Sequence, residues 1–233
     1  MKSKGWEAEG SYALSPSGCF LTGGCGTPAL NPLRTFTEDN LNTFVVGGAQ
    51  VGYNWQTGNF VYGLEGDINY NGWNNNTRNM YSLAAPLVGT FTDAVNTKLS
   101  WFGTFRGRIG IAASPTILIF GTGGLAFGQA SSSTLGVFSA AGDTYAGSAS
   151  STRAGWTAGG GMEWMFMANW SVKWEYLYID LGKLNYADRC TAACAAAVPA
   201  PAYATSVQFR EQVARVGINY HFNPPAAAVV AKY

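Results

Sequence analysis

The chain has 233 residues, a net charge of +1 and 12% charged residues, about half the charged share of an ordinary soluble domain. Glycine is abundant, with 30 residues, and aromatic residues reach 14%. No Lys/Arg run offers a basic patch for nucleic acid, and no run of about 18 apolar residues exists for a membrane-spanning helix.

The opening "MKSKGWEAEG" carries no apolar h-region of a signal peptide. Alternation then begins. "WEAEGSYAL" sets Trp6, Ala8, Tyr12 and Leu14 against Glu7, Glu9 and Ser11, which predicts a first strand over 5–14. "TFVVGGAQVGYNW" sets Val45, Ala49, Val51, Tyr53 and Trp55 against Gly48, Gln50, Gly52 and Asn54. "FVYGLEGDINY" sets Phe60, Tyr62, Leu64, Ile68 and Tyr70 against Glu65, Asp67 and Asn69. "KLSWFGTFRGRIGI" sets Leu99, Trp101, Phe105, Ile109 and Ile111 against Lys98, Ser100, Thr104, Arg106 and Arg108.

The pattern continues to the end of the chain. "ILIFGTGGLAFGQ" presents Ile117, Ile119, Leu125 and Phe127 on one face. "GWTAGGGMEWMF" sets Trp156, Met162, Trp164 and Phe166 against Thr157 and Glu163. "WSVKWEYLYID" sets Trp170, Val172, Trp174, Tyr176 and Tyr178 against Ser171, Lys173 and Glu175. "RVGINYHF" sets Val216, Ile218, Tyr220 and Phe222 against Arg215, Asn219 and His221. Period two means strand, and the many glycines disfavour helix. About eight strands follow, with no helix.

Tight connections at 56–59, 114–116 and 167–169 alternate with long polar ones at 15–42, 71–96, 130–153 and 183–206. In an up-and-down meander this gathers the long loops at one end, as in transmembrane barrels. A soluble ligand-binding barrel with inverted faces is the competing reading. Aromatics near strand ends favour the membrane, as an interfacial girdle would. So does the sparse polar face, whose few charges nearly balance. Glu65, Asp67, Glu163 and Glu175 stand against Lys98, Arg106, Arg108, Lys173 and Arg215. A barrel of eight strands holds only side chains or one small ligand, so these nine charges are expected to pair inside it. The expected pairs are Glu65 or Asp67 with Arg106, Glu163 with Lys173, and Glu175 with Arg215. A narrow polar path through them is the alternative.

Cys19, Cys25, Cys190 and Cys194 form two local pairs in loop-like segments. Two disulfides, free thiols and a zinc site are the readings of that pattern; with one histidine, the zinc site has the least support. That histidine, His221, lies at the tight-turn end, where a structural role outweighs a catalytic one. "GTGGLAFG" lacks the Lys-Ser/Thr ending of a phosphate loop. No catalytic, cofactor or metal residue is assigned.

"GGAQVGYNWQTGNFVYGLEGDI", "KLSWFGTFRGRIG", "TGGLAFG", "GWTAGGGMEW", "NWSVKWEYLYIDLG" and "RVGINYHF" resemble, in order, the small outer-membrane β-barrel proteins of Gram-negative bacteria. These are the porin-like group with an eight-stranded barrel of the outer membrane protein A type. The resemblance implies residence in the cell outer membrane, contact with its lipid and lipopolysaccharide, insertion by the barrel assembly machinery, and surface-exposed loops. Gly217, Tyr220 and Phe222, with Arg215, resemble the family's C-terminal assembly signal. The fold class expected is therefore an all-β, eight-stranded antiparallel up-and-down transmembrane barrel with long extracellular loops and short periplasmic turns. Residues 1–223 would form the barrel and residues 224–233 a periplasmic tail. The expected function is envelope integrity and surface presentation with a plugged interior; a narrow non-specific porin is the alternative. No cofactor is expected, and the oligomeric state is open.

Overall fold

The computed structural model describes residues 3–4, 7–14, 34–39, 46–83, 89–139, 142–192 and 202–222, the first three segments by their backbone alone. The strands are β1 (Ser3–Lys4), β2 (Glu7–Leu14), β3 (Arg34–Asp39), β4 (Val46–Thr57), β5 (Phe60–Leu83), β6 (Gly89–Ser114), β7 (Ile117–Phe138), β8 (Asp143–Met167), β9 (Trp170–Ala192) and β10 (Ala202–Tyr220). All pairings are antiparallel, in the spatial order β3-β2-β10-β9-β8-β7-β6-β5-β4, with β1 also on β10. From β4 to β10 each strand pairs with its sequence neighbour, which makes an up-and-down meander of seven long strands.

The tight turns join β4 to β5, β6 to β7 and β8 to β9, and all lie at one end. Gly58 holds φ at 61° in the first of them, a conformation that glycine adopts without a Cβ penalty.

The sheet is not closed. Among the described residues, β4 is laddered only to β5. The expected first strand over 5–14 corresponds to β2, which takes its place against β10 but pairs only along Tyr203–Val207. The sheet nevertheless curls far enough for side chains of β5 and β10 to meet. Arg215 Nη2 lies 2.9 Å from Asp67 Oδ2, and Asn71 Nδ2 donates to Glu211 Oε1 at 3.3 Å.

Three of the expected long loops prove to be mostly strand. The β5–β6 ladder continues to Leu83↔Gly89, the β7–β8 ladder to Phe138↔Asp143, and β9 pairs with β10 as far as Arg189↔Ala202. Polar Asn, Ser and Thr residues read as loop because the outward face turns hydrophilic there. Backbone hydrogen bonding continues regardless of that change. The expected loop 15–42 lies largely outside the described residues.

The outward face is apolar near the turn end and polar beyond. Trp55, Phe60, Tyr62, Trp164, Trp170 and Tyr220 are exposed near the turns, and Trp170 packs edge-on to Tyr220 at 5.0 Å. Tyr70 is exposed at a second level, where Trp156 contacts Tyr178 at 5.3 Å. Exposed Leu64, Ile68, Phe105, Ile109, Ile119, Leu125 and Ile218 fill the band between. The ten residue steps from Phe60 to Tyr70 span about 33 Å. At the tilt of about 40° usual for such strands this is about 25 Å of height, the apolar thickness of an outer-membrane barrel.

One strand changes face within its length. The β6–β7 register shifts between Leu99 and Phe102. That bulge places Leu99 fully inside and Lys98 outside, exposed. Lys98, expected in the interior charge set, is therefore not part of it, and Leu99 does not face outward. Unbroken alternation through 98–111 misassigns both, because a bulge inserts one residue and reverses parity.

Two substitutions test this placement by denaturant unfolding of the folded, detergent-bound protein. Leu99→Ala is expected to cost about 2–5 kcal/mol as a cavity-forming change. Lys98→Ala should stay within about 0.5 kcal/mol, as for an exposed site.

Candidate functional site

The concave side of the sheet holds the chemistry. Arg106 and Arg108 stand on consecutive inward positions of β6, Glu65 and Asp67 on β5, Glu163 on β8, Lys173 and Glu175 on β9, and Arg215 on β10. Alternation places all eight on one face, and all have side chains at most 9% exposed.

Arg106 is the centre. Its Nη2 contacts Glu65 Oε1 closely and Asp67 Oδ2 at 2.8 Å, and its Nη1 meets Glu175 Oε1 at 2.8 Å. Arg108 bridges Glu65 at 3.3 Å and Glu163 at 2.8 Å. Its guanidinium carbon also lies 4.8 Å from the centre of the inward Phe120 ring. Lys173 Nζ lies 2.9 Å from Glu65 and 3.6 Å from Glu175. Arg215 Nη2 meets Glu175 Oε2 at 2.6 Å, in addition to Asp67.

The network joins four cations to four carboxylates. Glu65 meets Arg106 and Glu175 meets Arg215, as the register suggests. Glu163 and Lys173 are ladder partners, but each takes other counterions: Glu163 takes Arg108, and Lys173 takes Glu65 and Glu175. A shared row on adjacent strands gives proximity, not partnership, when longer side chains cross the interior.

His221 sits below this network. Its Nε2 lies 2.9 Å from Ser171 Oγ and 3.2 Å from Glu163 Oε1, while Ser171 donates to Glu163 at 2.6 Å. A serine relay needs nucleophile and carboxylate on opposite ring nitrogens. Here both meet the same one, and Ser171 is fully buried. The cluster closes the turn end rather than presenting a nucleophile.

Above the charges lies a layer that the sequence reading missed. Leu99, Phe102, Leu177, Ile179, Leu181, Val207, Phe209 and Val213 are buried to within 1% and form one cluster. The signal was present in β9, where the inward face turns from Lys173 and Glu175 to Leu177, Ile179 and Leu181. Gly182, at a φ of 73°, accompanies a register shift in the β9–β10 ladder.

A second polar stratum follows. Ser132 and Tyr186 share a hydrogen bond at 3.0 Å, and Thr205 donates to Asp188 Oδ2. Asp188 lies ten residues beyond Tyr178, past the apolar band. Burial pushes its carboxyl up to about 6; the Thr205 hydroxyl opposes the shift and the charge of Asp93 adds to it.

Gly217 faces inward near Gln50, while Tyr220 and Phe222 face outward with ring centres 5.2 Å apart. Cys190 is disulfide-bonded. Cys19, Cys25 and Cys194 lie outside the described residues. No group of three or more metal-ligating side chains occurs among the described residues.

An apolar girdled exterior around a charged interior is the inverse of a soluble barrel. Residues 5–222 match the outer membrane protein beta-barrel domain. The chain belongs to that family. Over 177 residues it is 39% identical to a 31 kDa outer-membrane immunogenic protein of Brucella melitensis, covering 76% of this chain and 66% of that one. It is 33% identical over 168 residues to a 22 kDa outer membrane protein of Rhizobium leguminosarum bv. viciae, covering 72% and 65%. The chain thus spans just under two thirds of these relatives. Among solved structures it is similar to Ail, the attachment invasion locus protein of Yersinia pestis. That match has 11% identity and a TM-score of 0.30, covering 91% of this chain and 99% of Ail. The protein is an outer-membrane β-barrel protein, and the soluble ligand-binding reading is overturned.

Two measurements probe the interior. Arg106→Ala leaves Glu65, Asp67 and Glu175 short of a buried counterion and is expected to cost about 3–5 kcal/mol in denaturant unfolding. Asp188 behaves oppositely. Its folded-state pKa is raised, so the folded state binds the proton more tightly. Stability is therefore lost as pH rises from the ordinary value of 3.8 through about 6. Asp188→Asn should unfold at higher denaturant than wild type above pH 7, by up to about 3 kcal/mol, and the gain should vanish near pH 4.

Proposed function

We propose that the protein is an eight-stranded barrel with a sealed interior, serving envelope integrity and surface presentation rather than transport or catalysis. In this reading β2 is the first strand. β3 and β4, which run in the same direction, are two parts of the second. The tight turns face the periplasm, the extended strands project outside, and residues 224–233, outside the described residues, form a periplasmic tail. Gly217 and Tyr220 on β10, with Phe222 just beyond it, are read by the barrel assembly machinery. An immunogenic relative supports the outward placement of the extended end.

The observation that carries the sealed interior is the stacking of two different obstructions. The charge network crosses from β5 to β10 at one level. The apolar cluster around Phe102, Ile179 and Phe209 fills the next. A solvated ion crossing the interior would have to break the ion pairs and then enter an apolar layer, each costing several kcal/mol.

Planar-bilayer recording checks this. The wild-type protein should add no steady current to the bare membrane. A stable, charge-selective conductance would overturn the sealed reading in favour of a narrow porin.

A further inference from the structure

Two edges of the sheet face each other near the turn end. Among the described residues, β4 is laddered only to β5 over Val46–Thr57, and β10 only to β9 over 214–220. β1 and β2 lie along the outer edge of β10 nearer the extended end, at Gln212–Val213 and at Tyr203–Val207. The gap is one strand wide. Gln50 and Asn219, one on each side, hydrogen-bond beneath it. The reach of those two side chains sets their strands about 10 Å apart, two strand spacings. Its direction is fixed as well. β4 and β10 both run toward the turn end, so an antiparallel filler has to run away from it. Val51, Tyr53, Ile218 and Tyr220, on the outward face of the two edges, are exposed in the apolar band. Lipid offers no hydrogen bonds to a bare strand edge at that depth.

We infer that residues 226–233, "AAAVVAKY", fill this gap as a short strand between β10 and β4. The inference rests on the reading that places the turn end and the tail in the periplasm, and it takes that tail one step further, back into the barrel wall. A second copy of this chain does not fit. Its own edges, β3, β4 and β10, all run toward the turn end, so in the same membrane orientation they are parallel to the gap's two sides. The tail runs the required way. Asn223, Pro224 and Pro225 follow β10 directly and are turn residues. A four-residue loop over 223–226 reverses the chain and sets Phe222 opposite Ala227, Tyr220 opposite Val229 and Val216 opposite Tyr233. That last pair lies three residues short of Ser3↔Val213, where β1 takes over the edge. Parity then decides the faces. Ala227, Val229, Ala231 and Tyr233 turn to lipid beside Tyr220 and Ile218, with no charge among them. Lys232 turns inward over Gly217. A Cβ at Gly217 would find Gln50 Nε2, at 4.0 Å, as its nearest neighbour, so the space beside it is open. A loop longer or shorter by one residue would point Lys232 at lipid.

Cysteine cross-linking of the full chain folded in phospholipid vesicles tests the inference. The Gln50–Asn219 contact puts Val51, Val229 and Tyr220 on one outward row. Val229→Cys is therefore oxidised in pairs with Val51→Cys on β4, with Tyr220→Cys on β10, and with Leu135→Cys toward the extended end. The first two pairs should each cross-link within one chain, and the third should not. In denaturant unfolding, Val229→Pro and Val229→Asp should each raise the unfolding equilibrium constant at least about tenfold, by loss of ladder bonds and by a charge in lipid. Loss of the folded band in Val229→Pro alone counts the same way, because a tail outside the wall is not needed for folding. No cross-link to Val51→Cys, or wild-type stability in both the proline and aspartate variants, would overturn the inference. A cross-link to Val51→Cys found only in a dimer band would give the gap to a second copy and overturn it too. Heat-modifiable gel mobility is read on every sample. If wild type keeps it while the cross-links fail, the tail stays in the periplasm and the membrane reading stands. If wild type lacks it, the membrane reading fails and the inserted tail with it.

Discussion

The Arg106 guanidinium is the knot on which the interior depends. It engages carboxylates on β5 and β9 at once, and Arg215 engages the same two strands from β10. Backbone ladders can bind neighbouring strands only. These side chains join strands that are three to five positions apart and so hold the sheet in its curl. This matters most along β4, whose edge has no ladder partner among the described residues other than β5. There β4 and β5 are held to β10 by side-chain contacts: Gln50 with Asn219, Asp67 with Arg215, and Asn71 with Glu211.

Why the interior holds ions at all follows from geometry. A barrel too narrow for a water column must fill its lumen with side chains. Buried ion pairs add little net stability over well-packed apolar residues. They do penalise error: a one-residue register slip turns every inward charge toward lipid. The charged layer therefore specifies register, while the apolar cluster around Phe102 and Ile179 supplies packing. Phe120 packs beneath the Arg108 guanidinium, on the turn side of the charged layer.

Much of this was legible in the chain. Period-two alternation located the seven long strands and put Glu65, Asp67, Arg106, Arg108, Glu163, Lys173, Glu175 and Arg215 on one face; the aromatics near strand ends and the near balance of those charges gave that face as the inward one. Parity also misled at Lys98 and Leu99, because a bulge has no signature in alternation except its break. Strand length was hidden for a different reason. Asn74, Asn76, Ser131 and Ser133 look like loop residues when the test is hydrophobicity, but ladder pairing does not depend on it. The partner choice of Glu163 depends on which side chains cross the lumen, and ladder register carries no information on that.

The bulges clarify how one strand serves three media. Register shifts fall between Tyr70 and Trp73, between Leu99 and Phe102, and between Phe209 and Arg210. Each lies at the upper edge of the apolar band. Below that edge the outward face must be apolar and the inward face can be charged. Above it both faces are free to be polar outside and mixed inside. A strand with fixed parity would carry Lys98 inward just where the apolar layer begins, without a carboxylate to meet it. Inserting one residue at the boundary turns Lys98 to the solvated side and delivers Leu99 to the cluster. The bulge is thus the device by which two independent patterns, one for the lipid boundary and one for the lumen, are written on a single chain without burying Lys98 in the apolar layer.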